Sequence, residues 1–464
     1  MAPETEKRAW LPKVQRTDGP LYLSIAEVIA EDIRSGVLTP GQRLPPQRAL
    51  AKALGVDFTT VSRAYAAAAR QNLVEGRVGQ GTYVKPRISE GGGRAAPDRT
   101  VDMSMNMPPR FDDPRLVQQM WGSFHHLGLE KGDSFLMRYQ RPGGSAEDRD
   151  AARGWLEAQF GLEGAAQVVL CNGVQGALLS ILSLLAKPGD TLCCEAITFP
   201  GFLAVAKYLG LNLVPVEMDA EGLRPDALEA VCETHGPKAL YTIPTLHNPT
   251  TATLGPERRQ RIAEIARKHG LTVLEDDAYG ALAADAPPPL AHYAPERTWH
   301  ICTTSKCLAP SLRVCFVTPP QGASNEGLKR AIRANGGVVS PISAGLVTTW
   351  QSSGLAAQIT SAILVETRAR QAAFAEAVPG IPLRDGAFHV WMPLPEGQSA
   401  TDLAFALRGS GLGILPGQAF ACGAPVNAVR IALGSPDRLG DLRRELRGLV
   451  EALQNPGEAA WMAV

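Results

Sequence analysis

Residues 303–313, Thr-Thr-Ser-Lys-Cys-Leu-Ala-Pro-Ser-Leu-Arg, place one lysine, Lys306, among hydroxyls and an arginine. The run before it, Thr298-Trp-His-Ile-Cys302, is apolar and strand-like, so the lysine falls at a strand's carboxyl end. An amine there, with Thr303 and Ser305 beside it and Arg313 further on, suits a Schiff base to an aldehyde that also carries a phosphate. Pyridoxal 5′-phosphate is such a molecule. Taken alone, the same lysine is equally compatible with a solvated surface charge.

Other strand ends add complementary groups. Leu274-Glu-Asp-Asp-Ala-Tyr279 closes an apolar run with three acids and a phenol. A pyridinium nitrogen needs a carboxylate to hold its proton, and Asp276 can supply it, while Tyr279 can bond the ring's phenolate oxygen. Divalent metal binding, the other use of clustered acids, lacks a further ligand set, so no metal is expected. Asn248, in the polar turn after Tyr241-Thr-Ile-Pro244, can donate to the same phenolate. Phe199, in Thr198-Phe-Pro-Gly201, can stack on the ring or simply fill core. Asn172-Gly-Val-Gln-Gly-Ala-Leu178 opens an apolar helix after a strand, where the N–H groups of Val174 and Gln175 can bind a phosphate. The dinucleotide pattern G-x-G-x-x-G is missing from that turn.

These groups need a scaffold that gathers strand ends. From residue 166 onward apolar runs alternate with helical ones: strands at 167–170, 191–195, 211–217, 239–244, 271–276, 299–303 and 314–319, helices at 176–186 and 256–269. That alternation predicts an α/β fold with a mostly parallel sheet covered by helices, whose ligands bind at the strands' carboxyl ends. The chain, 464 residues long, has room for two or three domains and a large core. It has no apolar run long enough to span a membrane and no signal-peptide core near its start, so a cytoplasmic location without membrane partners is expected. The eight scattered cysteines form no C-x-x-C pair and read as reduced, packed thiols.

The net charge of zero conceals an asymmetry: residues 1–87 hold 13 Lys/Arg against 8 Asp/Glu. A basic module on an acidic body points to a nucleic-acid partner. The Gly/Pro-rich, charged stretch 85–99 reads as a linker. We therefore place a first domain at 15–85, a flexible linker at 86–101 and the body at 102–464. In the first domain Tyr22, Ile25, Ala26, Ile29 and Ile33 recur at helical spacing. A short helix follows near 47–54 and stops at Gly55. Asp57 then caps a third over 58–71, and residues 76–84 form a glycine-turned hairpin. Helix, tight turn, helix and basic hairpin make the layout of a winged helix-turn-helix.

With those pieces in place, two resemblances become specific. Residues 21–84 resemble the DNA-binding domain of GntR-type regulators through Pro40-Gly41, Arg43-Leu44-Pro45, Leu54-Gly55-Val56, Thr59-Thr60-Val61 and Gly79-x-Gly81-Thr82. The resemblance implies that Arg48, Thr59, Thr60 and Arg63 approach operator DNA, with Arg77, Gly79, Gly81 and Thr82 in the wing. Where the family has Ser-Arg this chain has Asp57-Phe58, and Pro46 replaces a serine. Losing an arginine and gaining a carboxylate should lower sequence-independent affinity.

Residues 102–464 resemble fold-type I, aspartate aminotransferase-like pyridoxal phosphate enzymes, with a smaller α+β C-terminal subdomain. The matching order is Gly173-x-Gln175, Phe199, Asn248-Pro249-Thr250, Asp276-x-x-Tyr279, Ser305-Lys306, Arg313 and Arg430. The resemblance implies that Lys306 forms the Schiff base, Asp276 meets the pyridine nitrogen, and Asn248 and Tyr279 bind the phenolate. Phe199 would stack, while Val174, Gln175, Thr303 or Ser305, and Arg313 would hold the phosphate. Arg430 would clamp an amino acid's carboxylate. Tyr139–Arg149 resembles a segment that completes the site across a dimer interface, with Asp148 where leucine is usual. A homodimer, with domain swapping open, is thus implied.

The two modules together resemble the MocR subfamily of GntR-type transcriptional regulators. There an amino-compound effector displaces the lysine, forming an external aldimine, and so switches operator binding. A catalytically active aminotransferase with an accessory DNA-binding module is the alternative, and a DNA-binding dimer without the cofactor a third.

Overall fold

The computed structural model describes residues 10–12, 20–34, 37–38, 42–70, 73–77, 81–84, 101–137, 139–162, 167–409 and 412–454. The chain divides into two compact units, Met1–Pro97 and Asp98–Val464. Of the linker placed at 86–101, residues 86–100 lie outside the described residues, as do Pro40-Gly41 and Gly79, while Val101 belongs to a paired strand of the body.

The first unit contains helices α1 (Leu21–Arg34), α2 (Gln47–Leu54) and α3 (Phe58–Arg70) and strands β1 (Val74–Arg77) and β2 (Gly81–Val84). The helical stripe read from the sequence is the buried one: Ile25, Ile29, Leu50, Val61, Ala64 and Tyr65 share one core. Gly55 ends α2 with φ 63°, a conformation that favours glycine, and its N–H returns to the helix carbonyls. Asp57 Oδ1 then accepts from the Thr59 N–H (2.7 Å) and hydroxyl (2.5 Å), so the carboxylate starts α3. β1 and β2 pair antiparallel, and Arg43 pairs antiparallel with Tyr83, which widens the wing by one strand.

In the second unit, helices α4 (Pro114–Leu136, kinked at Gly132) and α5 (Ala146–Phe160) lead into the main sheet. Its strands are β3 (Val169–Asn172), β4 (Thr191–Glu195), β5 (Asn212–Val216), β6 (Ala239–Thr242), β7 (Thr272–Asp276), β8 (Thr298–Thr303) and β9 (Val314–Thr318). Their order is β3-β9-β8-β7-β6-β4-β5, and β9 alone runs against its neighbours. β6 to β9 are buried along nearly their whole lengths, which is why they read as continuous apolar runs rather than alternating ones. The expected strand 167–170 instead covers 169–172, because Cys171 and Asn172 pair with Cys315 and Val314.

The C-terminal part adds a three-stranded antiparallel sheet, β10 (His389–Pro393), β11 (Leu415–Pro416) and β12 (Ala428–Ala432), with β12 central. Phe374, Val390, Ile431 and Leu442 form its core under helices Leu355–Ala377 and Leu439–Gln454. Val101–Asp102 pairs with Leu412–Gly413 and so attaches the start of the body here. Among the described residues no helix is long and apolar enough to cross a membrane.

The turn after β6 is held from beneath by one charge. Arg259 is fully buried and donates to the carbonyls of Leu254 (3.0 Å), Pro244 (3.1 Å) and Pro288 (3.1 Å) and to the Thr245 hydroxyl (2.8 Å). Three of those acceptors, in residues 244–254, bracket Asn248. Arg259→Met strands all four and leaves the buried Glu275 carboxylate, 3.9 Å from the guanidinium, without its cation; removing one partner of a buried ion pair costs about 3–5 kcal/mol. Urea unfolding of the variant should show a loss of that size, with Arg259→Lys recovering only part of it.

Candidate functional site

The carboxyl ends of β6, β7 and β8, with the turn into β9, bring the predicted groups together. Asp276 ends β7 and is buried. Its Oδ2 accepts from the Tyr241 phenol at 2.7 Å, and the Tyr241 ring lies flat on Phe202 at 3.9 Å, which fixes the phenol's direction. Its Oδ1 is buried and has no partner among the described residues. Burial raises the carboxyl to about 6, against the lowering effect of the Tyr241 bond. A buried carboxylate oxygen left unpaired at a strand end is what a pyridinium N–H requires.

Lys306 follows β8 and is half-buried. Burial lowers its amine to about 8; the charges of Arg430 and Arg313 push the same way and Asp276 opposes them. Its Nζ donates to the main-chain carbonyl of Asn106.

One end of the site is built from a glycine and an arginine. Gly173 opens helix α6 (Gly173–Leu185) with φ 68°, and a Cβ there would lie 2.7 Å from an Arg313 guanidinium nitrogen. Arg313 itself sits at φ 54°. Its charge therefore faces the amino end of α6, where Val174 and Gln175 follow and no acid occupies the first turn. Ser305 Oγ accepts from the Thr303 hydroxyl at 3.1 Å, which leaves its own proton available to an anion; Thr303 also reaches the Val314 carbonyl at 3.3 Å. The Phe199 ring lies so close over Gly201 that a Cβ there would approach it to 2.4 Å.

Buried Arg430 projects from β12. Nη1 donates to Asn248 Oδ1 at 3.0 Å, Nη2 to the Ser104 carbonyl, and the guanidinium lies 5.0 Å from the Phe420 ring centroid. Burial brings Arg430 down to about 10, so it stays cationic at neutral pH, and its Nε has no partner. Tyr279 is buried, its phenol is pushed up by burial, and it accepts from Asn106 Nδ2 at 2.6 Å. An oxygen that accepts there has its own proton free to donate elsewhere.

Asn106 and Tyr241 are the participants that sequence reading missed. Tyr241 lies within the expected strand 239–244. Asn106 lies in Asp102-Met-Ser-Met-Asn-Met-Pro108, which has no periodicity and no charge pattern to mark it. His389 is buried beside Tyr279. Its Nε2 faces the His247 carbonyl at 3.2 Å, and burial lowers it to about 3, so it is neutral. Asp148, unusual for its position, completes a capping box with Ser145 at the start of α5 and accepts from Thr348 at 2.8 Å. The pattern Ser145-x-x-Asp148 could have shown this.

In the first unit, Arg48 on α2 and Thr59 and Arg63 on α3 are exposed, and Thr60 is half-buried. Gly81 and Thr82 lie on β2 and Arg77 ends β1. Thr59's hydroxyl is already committed to Asp57, and the hydrogen bonds from Thr59 hold the Asp57 carboxyl below its usual range. Phe58, exposed in place of the expected arginine, lies under the Arg48 guanidinium at 5.9 Å.

Residues 21–84 match the family described as bacterial regulatory proteins, gntR family, and residues 132–446 match aminotransferase class I and II. The uncharacterized HTH-type transcriptional regulator YdeF of Bacillus subtilis is 30% identical over 456 residues, covering 96% of each chain. The probable rhizopine catabolism regulatory protein MocR of Rhizobium meliloti is 28% identical over 350 residues, 69% of each chain. The solved structure of a multiple substrate aminotransferase from Thermococcus profundus superposes with a TM-score of 0.69 at 22% identity, over 78% of this chain and 93% of that one, which bears on fold alone. A gntR-type winged helix joined to an aminotransferase class I and II body along one chain places this protein in the MocR subfamily of GntR-type transcriptional regulators.

Proposed function

We propose that the protein is a regulator that binds operator DNA through its first unit and senses an amino compound through pyridoxal phosphate held in the second. The observation that carries the reading is the buried, unpaired Oδ1 of Asp276 on the same floor as a lysine lowered to about 8. When bound, the cofactor supplies an aldehyde carbon that amines occupy reversibly. Asp276 would hold the ring nitrogen's proton, and Tyr279 and the Asn248 amide would bond the phenolate. Arg313, Ser305 and the α6 amides at Val174 and Gln175 would hold the phosphate, with Phe199 over the ring. Arg430 would take the effector's carboxylate in place of the Ser104 carbonyl, and the effector's nitrogen would replace Lys306.

The effector can bias operator binding only as far as it prefers one conformation of the body. A homodimer is supported by the apolar side chains that α4 and the turn after it leave open, Trp121, Leu129, Met137 and Tyr139. The exposed Arg48 and Arg63 would then meet two operator half-sites. The same Arg430 and Lys306 also suit an active aminotransferase; steady turnover of an amino acid with 2-oxoglutarate would favour that reading.

Cofactor uptake by the cofactor-free protein needs the neutral amine of Lys306. With the amine near 8, the uptake rate should climb about tenfold per pH unit below that value and level off above it. Arg430→Met removes a positive charge that lowers Lys306, so stopped-flow absorbance should place its plateau at higher pH. Lys306→Ala should lose the borohydride-stable adduct. Persistence of that adduct by mass spectrometry would remove the lysine from its role.

On the DNA side, Arg63→Ala and Arg48→Ala should each weaken binding to the protein's own upstream region and reduce the log–log salt slope by about 1. Mobility shifts across a salt series measure both. Phe58→Arg should raise affinity at low salt and steepen the slope.

A further inference from the structure

We propose that Asn106 is the receiving site for Lys306 once the lysine is set free, and that this contact passes the state of the site to the segment leading toward the DNA-binding unit. The inference rests on the sensor reading above and adds the element that the effector would move.

Asn106 is bound at both ends. Its Nδ2 donates to the Tyr279 phenol at 2.6 Å, and its main-chain carbonyl accepts from Lys306 Nζ. The residue is only 9% exposed, so water competes little for either bond. The contact with Lys306 differs between the two states of the site. A nitrogen committed to the aldehyde carbon keeps at most one proton, which the neighbouring phenolate oxygen claims. A freed lysine has three as an ammonium, and charge-assisted bonds to a carbonyl are strong. Displacement itself is balanced without an oxidant: one carbon–nitrogen bond forms as another breaks, and the two protons the incoming ammonium sheds are the two that Lys306 gains.

A second contact on the same stretch changes in the opposite sense. The Ser104 carbonyl occupies Arg430 Nη2, which an arriving carboxylate needs. Effector binding would thus take away the bond at Ser104 and supply the one at Asn106, two residues apart. This stretch begins at Val101–Asp102, paired with Leu412–Gly413, and the chain before it runs into the first unit. Differential contacts of this kind are what a ligand must make to shift a conformational equilibrium.

Methoxyamine frees the lysine by capturing the cofactor's aldehyde and carries no carboxylate, so it isolates the Lys306 contact from the Arg430 one. In the full-length, cofactor-loaded protein, its addition should slow amide hydrogen exchange in peptides spanning 103–109 at least fivefold. Lys306→Ala, loaded with cofactor and treated likewise, should show no change. Should that variant not fold, Asn106→Leu decides: it keeps the carbonyl but loses the Tyr279 anchor, and its response should fall below half of the native one. An absorbance change that proves the lysine free, with exchange unaltered, overturns the inference, as does equal protection in Lys306→Ala. Operator binding measured in parallel separates the two readings. Altered exchange with unaltered operator affinity counts against the sensor reading alone, whereas a tenfold affinity change, about 1.4 kcal/mol, with unaltered exchange counts against Asn106 alone.

Discussion

The organisation of the body turns on one buried carboxylate. Asp276 stands at the end of a central strand with one oxygen bonded to Tyr241 and the other bare. Burying a charge in that way is costly unless something cationic completes it. The surroundings leave that oxygen open: Tyr241 is pinned flat on Phe202, and among the described residues no lysine or arginine side chain bonds the free oxygen. Lys306, Arg430 and Arg313 surround the same space but each is engaged elsewhere, with Asn106, Asn248 and the mouth of α6. Burial, and then the charges of Arg430 and Arg313, lower the lysine.

Around that carboxylate the site has three distinct ends. At one end Gly173 lets the Arg313 guanidinium approach the start of α6. At another Arg430 crosses from the smaller sheet to meet Asn248 in the turn after β6. At the third Asn106, Tyr279 and Lys306 form a short chain of hydrogen bonds that reaches the body's first residues. The Arg430–Asn248 bond therefore ties the two parts of the body together.

The DNA-binding unit is organised by local rules. Helix α2 stops where Gly55 takes a left-handed conformation, and α3 starts where Asp57 caps it. The same carboxylate that stabilises α3 consumes the Thr59 hydroxyl, and the Arg48 guanidinium lies over the Phe58 ring. Both residues thus make local contacts at the turn between α2 and α3.

Much of this was legible in the residues themselves. Apolar runs ending in polar groups exposed the sheet, and Lys306, Asp276, Asn248 and Arg313 fell where strand ends put them, because side-chain period and turn chemistry act over a few residues. The helix starts and stops of the first unit were equally local. What lay beyond the sequence were relations between distant segments. β9 runs antiparallel, and its pairing with Cys171 and Asn172 places β3 two residues later than expected. Arg259 reaches four acceptors in three separate stretches, and Asn106 bridges 200 residues to touch Lys306. Periodicity and residue type marked the elements and the candidate groups at their ends, since those depend on neighbours in sequence. Tertiary structure alone decided which group each charge faces, because a buried donor takes whichever acceptor the fold brings within hydrogen-bond distance.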